Sequence, residues 1–298
     1  MAELLLELYS EEIPPQLQIG ARNQLKNFFE KYFKDENIEY KEMSIYSCPT
    51  RLALAIENLD EKIKIESREI KGPKVGSPDI ILQGFMKAKD ISKNNLVEKN
   101  TDKGKFYFIK TEPKIILVEE LLISILPKAL TSISWKKSMK WSDHNLMWGR
   151  PLISIFAVFN EKKINFKFDH ITSSDEIIIE QDLTLKNKKI KNYKEYKEFL
   201  KNNNIFLDQN EREKIVLKRF SAISKLKNYK ESYNSKLLEE VINIVENPHV
   251  LLVDFNKNYL KIPHEIIIST LEKHQKYFPI FDNRDKLKIG RASCRERV

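Results

Sequence analysis

The chain has 298 residues, 41% of them hydrophobic and 32% charged, which suits one large or two ordinary globular domains and excludes a disordered chain. Its 52 Lys and Arg against 43 Asp and Glu give a net charge of +9, a balance that favours polyanions. The excess is nearly all Lys and comes with abundant Ile and Asn, as an AT-rich coding sequence would also produce, so charge alone does not establish nucleic-acid binding.

Two cysteines, Cys48 and Cys294, offer neither a disulfide framework nor paired metal-ligand spacing. The opening Ala2–Glu7 segment places acids inside its apolar run and has no basic region before it, unlike a signal peptide. No stretch reaches the ~18 uncharged apolar residues of a membrane span. A cytoplasmic chain without membrane contact is expected.

Residues 2–9 read as a first strand, stopped by Pro14 and Pro15. Proline suits a first helical position, and Leu17, Ala21, Leu25, Phe28 and Phe29 predict a helix from about Gln16 to Lys34. Met43–Cys48 and Arg51–Leu59 predict two strands parted by Pro49. A half-exposed strand is expected over Lys62–Ile70, closed by Lys71-Gly72-Pro73. A short helix over 79–89 follows, then the turn Thr101-Asp102-Lys103-Gly104 and a strand over Phe106–Lys110.

Ile116–Ile133 gives the clearest apolar helix, which Pro127 is expected to kink or split. Leu152–Phe159 and Ile177–Leu185 predict strands. Beyond Leu185 a dense Lys run extends to Lys201, and Asn202-Asn203-Asn204 marks a turn. Helices are expected over Glu211–Lys227, Lys236–Val245 and Pro263–Leu271, with a strand over Val250–Phe255. The fold class is α+β, with mixed sheets, packed helices and two domains, one inserted into the other. An approximate border falls at residue 150, giving an N-terminal region 1–150 and a second region 151–288.

The last ten residues, Ile289 to Val298, carry three Arg and no Lys, against the Lys-rich habit of the rest. They resemble a translated sequencing adapter and are expected to be foreign to the fold. Without their three Arg and one Glu the net charge falls from +9 to +7.

Phosphate-loop and dinucleotide glycine motifs are absent, as is a nucleophile elbow. None of His144, His170, His249, His264 and His274 has the four-residue spacing of a helical zinc pair, so surface or packing roles are expected. No catalytic residue and no metal site is assigned. Glu11 and Glu12 suit exposed charge before a helix N-terminus.

Three clusters stand out. They are Glu11-Glu12-Ile13-Pro14-Pro15; Ser138-Met139-Lys140-Trp141 with Trp148-Gly149-Arg150-Pro151; and Ile262-Pro263-His264-Glu265 with His274-Gln275-Lys276-Tyr277-Phe278-Pro279. The latter two interleave cations with aromatics. Lys140 and Arg150 suit phosphates, while Trp141, Tyr277 or Phe278 suit a stacked base. On residues alone, core aromatics flanked by snorkelling cations explain the pattern at least as well.

Together these clusters resemble the β subunits of bacterial two-subunit glycyl-tRNA synthetases. The resemblance is carried by Glu11–Pro15, the Pro49-Thr50-Arg51-Leu52-Ala53-Leu54 strand, Lys71-Gly72-Pro73, Thr101–Lys105, Met139-Lys140-Trp141 with Arg150-Pro151, and Gln275–Pro279, in family order along nearly all of 1–288. Thr50, Lys71 and Lys140 stand where the family favours Arg, and Lys loses the bidentate fork. Ile179–Leu183 replaces a family Gly-His-Arg-Phe-like segment.

The resemblance implies an accessory subunit of an aminoacyl-tRNA ligase. Its partner would be a catalytic α subunit in an α2β2 assembly, using ATP and Mg2+ to charge tRNA-Gly with glycine. This part would hold no cofactor and would be inactive alone. Contact with tRNA is expected from Lys140, Trp141, Arg150, His274, Gln275, Lys276 and Tyr277, cations positioning phosphates and aromatics stacking. The alternative is a free-standing RNA-binding or scaffold protein.

Overall fold

A computed structural model of the protein describes residues 2–65, 69–89, 96–101, 104–110, 114–181, 184–230, 233–253, 256–284 and 286–295. The chain forms two units: Met1–Asp60 with Leu122–Val298, and Glu61–Leu121.

The first unit begins with β1 (Ala2–Ser10), α1 (Pro15–Glu36), β2 (Glu42–Cys48) and β3 (Arg51–Leu59). Pro15 starts α1 at its first turn, and Asn37 ends it at φ 54, a left-handed conformation that Asn tolerates better than most residues. The helix packs on β2 and β3 and buries Leu25, Phe29 and Phe33.

The second unit holds β4 (Lys62–Ile65), β5 (Glu69–Lys74), α2 (Asp79–Lys89), β6 (Leu96–Thr101), β7 (Gly104–Lys110) and β8 (Lys114–Leu117). β4 pairs β8, and a separate sheet runs β5-β7-β6. Gly72 lies so close to α2 that a Cβ there would meet the Phe85 ring at 2.7 Å. Lys71-Gly72-Pro73, expected to close a strand, instead lies within β5, where Gly72 admits the ring. Gly104 opens β7 at φ 110, which favours glycine. The turn expected over Thr101–Gly104 includes Asp102 and Lys103, which lie outside the described residues.

The chain rejoins the first unit within α3 (Val118–Ser132). Ile116 and Leu117, expected in this helix, pair with β4 instead, and the helix runs through Pro127 without splitting. β9 (Leu152–Phe159), β10 (Lys162–Lys163), β11 (Lys167–Phe168) and β12 (Ile171–Thr172) follow. The central sheet has the order β10-β9-β1-β3-β2. Residue 150 thus falls inside one unit, because β9 pairs directly with β1.

The strand expected over 177–185 is a hairpin of β13 (Glu176–Gln181) and β14 (Thr184–Lys189). The Lys-rich stretch beyond it contains α4 (Tyr193–Asn202), which buries Tyr193, Tyr196 and Leu200. These side chains join Leu5, Ala53, Ala55, Phe156, Val158, Ile177 and Ile179 in one core.

A second core joins α5 (Gln209–Lys227), α6 (Ser235–Ile242) and β15 (His249–Val253) through Val216, Phe220, Leu238, Val241 and Val250. A 3-10 turn (Lys257–Lys261), α7 (His264–Ser269) and a π-helical turn (Thr270–His274) lead to β16 (Tyr277–Phe281) and β17 (Leu287–Arg295), in the sheet order β15-β17-β16. The backbone of residues 291–295, part of the stretch expected to stand outside the fold, therefore pairs. Ladder bonds use backbone groups, which any non-proline residue supplies. Among the described residues every ladder is antiparallel, and the one parallel contact is the isolated bridge Phe156–Ser174.

An ion pair crosses the central sheet. Glu7 on β1 and Arg51 on β3 are both fully buried, with Arg51 Nε 3.4 Å from Glu7 Oε2. Tyr196 donates its hydroxyl to the same carboxylate oxygen, and Arg51 donates to the Ile178 carbonyl at 2.5 Å. The Arg51 guanidinium also lies 4.4 Å above the Tyr9 ring. Burial raises the Glu7 pKa, while Arg51 and the Tyr196 hydroxyl pull it down.

Replacing Arg51 with Met should cost about 3–5 kcal/mol in urea unfolding, since it strands a buried carboxylate. The sign with pH follows from the raised carboxyl. The folded state holds that proton more tightly than the unfolded chain, so the contribution favours folding in acid and is lost as pH rises. The R51M deficit relative to the unsubstituted chain should therefore shrink between pH 7 and pH 5. A deficit that grew toward pH 5 would contradict this assignment.

Candidate functional site

Antiparallel pairing on both edges of β1 brings its C-terminal end beside the first residues of β3 and β9. Three loop bonds fix the junction: Ser10 N donates to Thr50 O at 2.9 Å, Glu11 N to Pro151 O at 2.9 Å and Ile13 N to Pro49 O at 2.6 Å. Glu11–Pro15, Pro49 and Arg150-Pro151, far apart in sequence, thus share one open cleft of roughly 750 Å3, with Met139, Asn243 and Ile244 on its walls.

A buried polar network holds this cleft from behind. Gln18 on α1 donates to the carbonyls of Ile13 and Asn243, each at 2.7 Å, and accepts from the Ser47 hydroxyl at 3.0 Å. Arg22 donates to Ser47 Oγ and, at 3.3 Å, to Asn243 Oδ1. Burial, with the nearby Arg212 cation, lowers the Arg22 pKa to about 10, so it stays charged at neutral pH.

Arg212, fully buried on α5, donates to Ile242 O at 2.7 Å, Phe206 O at 2.6 Å, Leu207 O at 2.8 Å and Ser47 O at 2.7 Å. One guanidinium therefore ties α5 and α6 to β2. Cys48 beside it is buried, and burial together with Glu246 raises its thiol pKa, which makes it a poor nucleophile.

The third sequence cluster reaches the cleft's edge through Glu240. Lys276 Nζ donates to Glu240 Oε2 at 2.8 Å, and Gln16 donates to Glu240 Oε1 at 3.3 Å. Lys276 sits at φ 55, just after the π-helical turn. Its charge is matched by Glu240.

His274 and Gln275 are exposed, and Gln275 lines a different cleft of roughly 390 Å3 beside Tyr259, Ile262 and Ile266. Tyr277 packs against the core of Ile267, Leu271 and Leu287. Phe278, one of the aromatics suggested for base stacking, is buried against Phe220 at 4.7 Å.

The second cluster forms a bridged loop. Met139 and Trp148 exchange both backbone bonds, at 2.8 and 3.2 Å, so that Lys140–Met147 projects as a closed excursion. Lys140 is exposed and Nζ reaches Asn145 Oδ1 at 3.5 Å. Trp141 is half-buried against the His170 ring, 5.9 Å away. The half-buried Arg150 donates to the Gly149 carbonyl and lines the cleft.

The structure thus brings Arg150 to Glu11–Pro15 and links Lys276 to the start of α1. Sequence reasoning missed Gln18, Arg22, Arg212, Glu240 and Asn243. Each acts across more than twenty residues of chain and leaves no local motif. Among the described residues no three His, Cys, Asp or Glu side chains group as metal ligands, and no helix is long and apolar enough to cross a membrane.

Comparison with known proteins gives one family. A profile described as "Glycyl-tRNA synthetase beta subunit" matches residues 4–290. Curated relatives include the glycine--tRNA ligase beta subunits of Rickettsia typhi, 35% identical over 284 residues, Rickettsia felis, 32% identical over 284 residues, and Rickettsia canadensis, 35% identical over 286 residues. In each case 95% of this chain is matched, and it spans 42 to 43% of the relative's length.

Two substitutions test the scaffold of the site. Arg212→Met would leave four carbonyls without their donor and should lower stability by at least about 3 kcal/mol in urea titration. A loss under about 1 kcal/mol would show that the clamp is dispensable. At Gly149 a Cβ would meet the Trp135 ring at 2.5 Å, so Gly149→Ala should cost about 1–3 kcal/mol and shift tryptophan emission. Unchanged emission would mean that the indole stays in place.

Proposed function

Since the chain belongs to the glycyl-tRNA synthetase β-subunit family, we propose that it serves as the tRNA-side accessory part of a glycine--tRNA ligase. A separate α subunit would join ATP and glycine with Mg2+ and charge tRNA-Gly, in an α2β2 assembly in the cytoplasm. The family match over residues 4–290 carries this reading. A free-standing scaffold is less favoured, because the relatives are named as ligase subunits.

The arrangement supports a binding role over a reactive one. The buried Cys48 thiol has a raised pKa, and the polar groups behind the cleft are committed to backbone carbonyls and to one another. Outside the cleft wall, cationic and aromatic side chains share the bridged loop. Lys140 and Arg150 are the residues we assign to phosphate contact. Trp141 supplies an aromatic face, and His274 and Gln275 are exposed polar groups suited to the ribose-phosphate chain. Lys276 and Tyr277 act by holding their segment in place, through Glu240 and the Ile267 core.

The test is tRNA-Gly titration across a salt series. Lys140→Ala and Arg150→Ala should each weaken binding and flatten the logarithmic salt slope by ~0.9 for every phosphate no longer neutralised. Unchanged affinity and slope would remove both residues from the interface. Co-purification with a catalytic α subunit that forms glycyl-adenylate would test the division of labour.

A further inference from the structure

The bridged loop carries a second feature that phosphate contact does not use. β11 and β12 form a hairpin whose two turn residues are Asp169 and His170, and Asp169 takes φ 53. The turn carries the His170 ring against the loop. There it stacks on His144 with centroids 3.5 Å apart and planes 6° from parallel, while Trp141 meets it edge-on at 72°. Asp169 Oδ2 lies 2.9 Å from His170 Nδ1 and fixes the ring's rotation.

A buried aromatic layer already supplies the packing beneath. Trp148, 2% exposed, lies 5.0 Å from Trp135 and 5.5 Å from Phe168, which is 8% exposed. Trp141, His144 and His170 form a separate tier that keeps part of its surface in solvent. Exposed Lys140 stands on the loop, Lys136 and Lys137 just before its bridge and Lys167 on the hairpin, against the carboxylates of Asp143 and Asp169. The balance there is cationic.

Ring faces and lysines together fit one class of ligand best. Duplex RNA keeps its bases stacked on each other and offers proteins phosphates and hydroxyls. An unpaired nucleotide also offers a free base face, which aromatic side chains and histidine can take. A duplex would need the lysines but not the tier. We propose that the Trp141–His170–His144 tier binds an unpaired nucleotide of the RNA, its base stacked on these rings and its flanking phosphates met by the surrounding lysines. This deepens the tRNA reading and rests on it.

The experiment uses the whole chain and three probes: tRNA-Gly, a ten-nucleotide single-stranded RNA, and the same sequence as a duplex. Fluorescence anisotropy gives affinity, and tryptophan emission reports stacking. Trp141→Ala should weaken single-strand binding by ~5- to 150-fold, the range for one stacked base, and leave the duplex within about twofold. His144→Ala should weaken it in the same direction. Trp141→Phe retains an aromatic face, so it should keep most of the affinity while losing the emission quench that single-strand binding causes.

If Trp141→Ala does not fold, that Phe variant decides the matter, since a quench that persists without Trp141 would overturn the inference. So would equal losses for single strand and duplex, or no loss at all. Binding of tRNA that depends on Lys140 and Arg150 but ignores Trp141 would overturn the stacking inference alone. Failure of the unsubstituted chain to bind any of the three probes would overturn both readings. A loop needed to retain a protein partner, but not RNA, would likewise overturn the stacking inference.

Discussion

Strand β1 is hydrogen-bonded along both edges, to β3 on one side and β9 on the other, and both neighbours run antiparallel to it. Its last residue must therefore lie beside the first residues of both partners. This register places Glu11–Pro15, Pro49-Thr50 and Arg150-Pro151 at one end of the sheet. A one-residue slip of β1 would turn Glu7 away from Arg51 and send the leucines to the opposite face. The buried ion pair thus penalises every alternative register, because an unpaired carboxylate in that core is costly.

Buried arginines extend the same logic away from the sheet. Arg212 gathers carbonyls from α6, the segment before α5, and β2. Arg22 and Gln18 then fasten α1 to the turn after α6. These groups give up water, and each is repaid only while its partners stay in place. The cleft wall is consequently rigid where it is made of backbone and buried polar groups. The bridged loop at its rim carries exposed Lys140 and half-buried Trp141.

The motifs that carry the family resemblance divide by what they do. Gly72 and Phe278 serve packing: one admits the Phe85 ring, and the other fills the core of α5 and α6. Arg51 serves the sheet interior. Arg150 and Glu11–Pro15 open onto the cleft, while Trp141 faces the 167–172 hairpin. Shared sequence therefore marks fold and surface alike. Only the residues that keep solvent-facing atoms are available to a ligand.

Local periodicity determined much of this protein. The first strand, the long helix after Pro15, the paired strands around Pro49 and the helix over 209–227 all follow from side-chain spacing and proline or glycine punctuation, which act within a few residues. Family membership was also legible, because ordered motifs survive in one dimension. Where lysines dominated composition, α4 went unread although Tyr193, Tyr196 and Leu200 keep helical spacing. The 177–189 hairpin looked like a single strand, since alternation cannot show where a chain reverses. The Glu7–Arg51 pair, the Arg212 clamp and the Lys276–Glu240–Gln16 link were decided by tertiary structure alone. Apart from the Phe206 and Leu207 carbonyls just before α5, their partners lie 30 to more than 200 residues apart along the chain, and a buried charge reveals itself only once folding has removed its water.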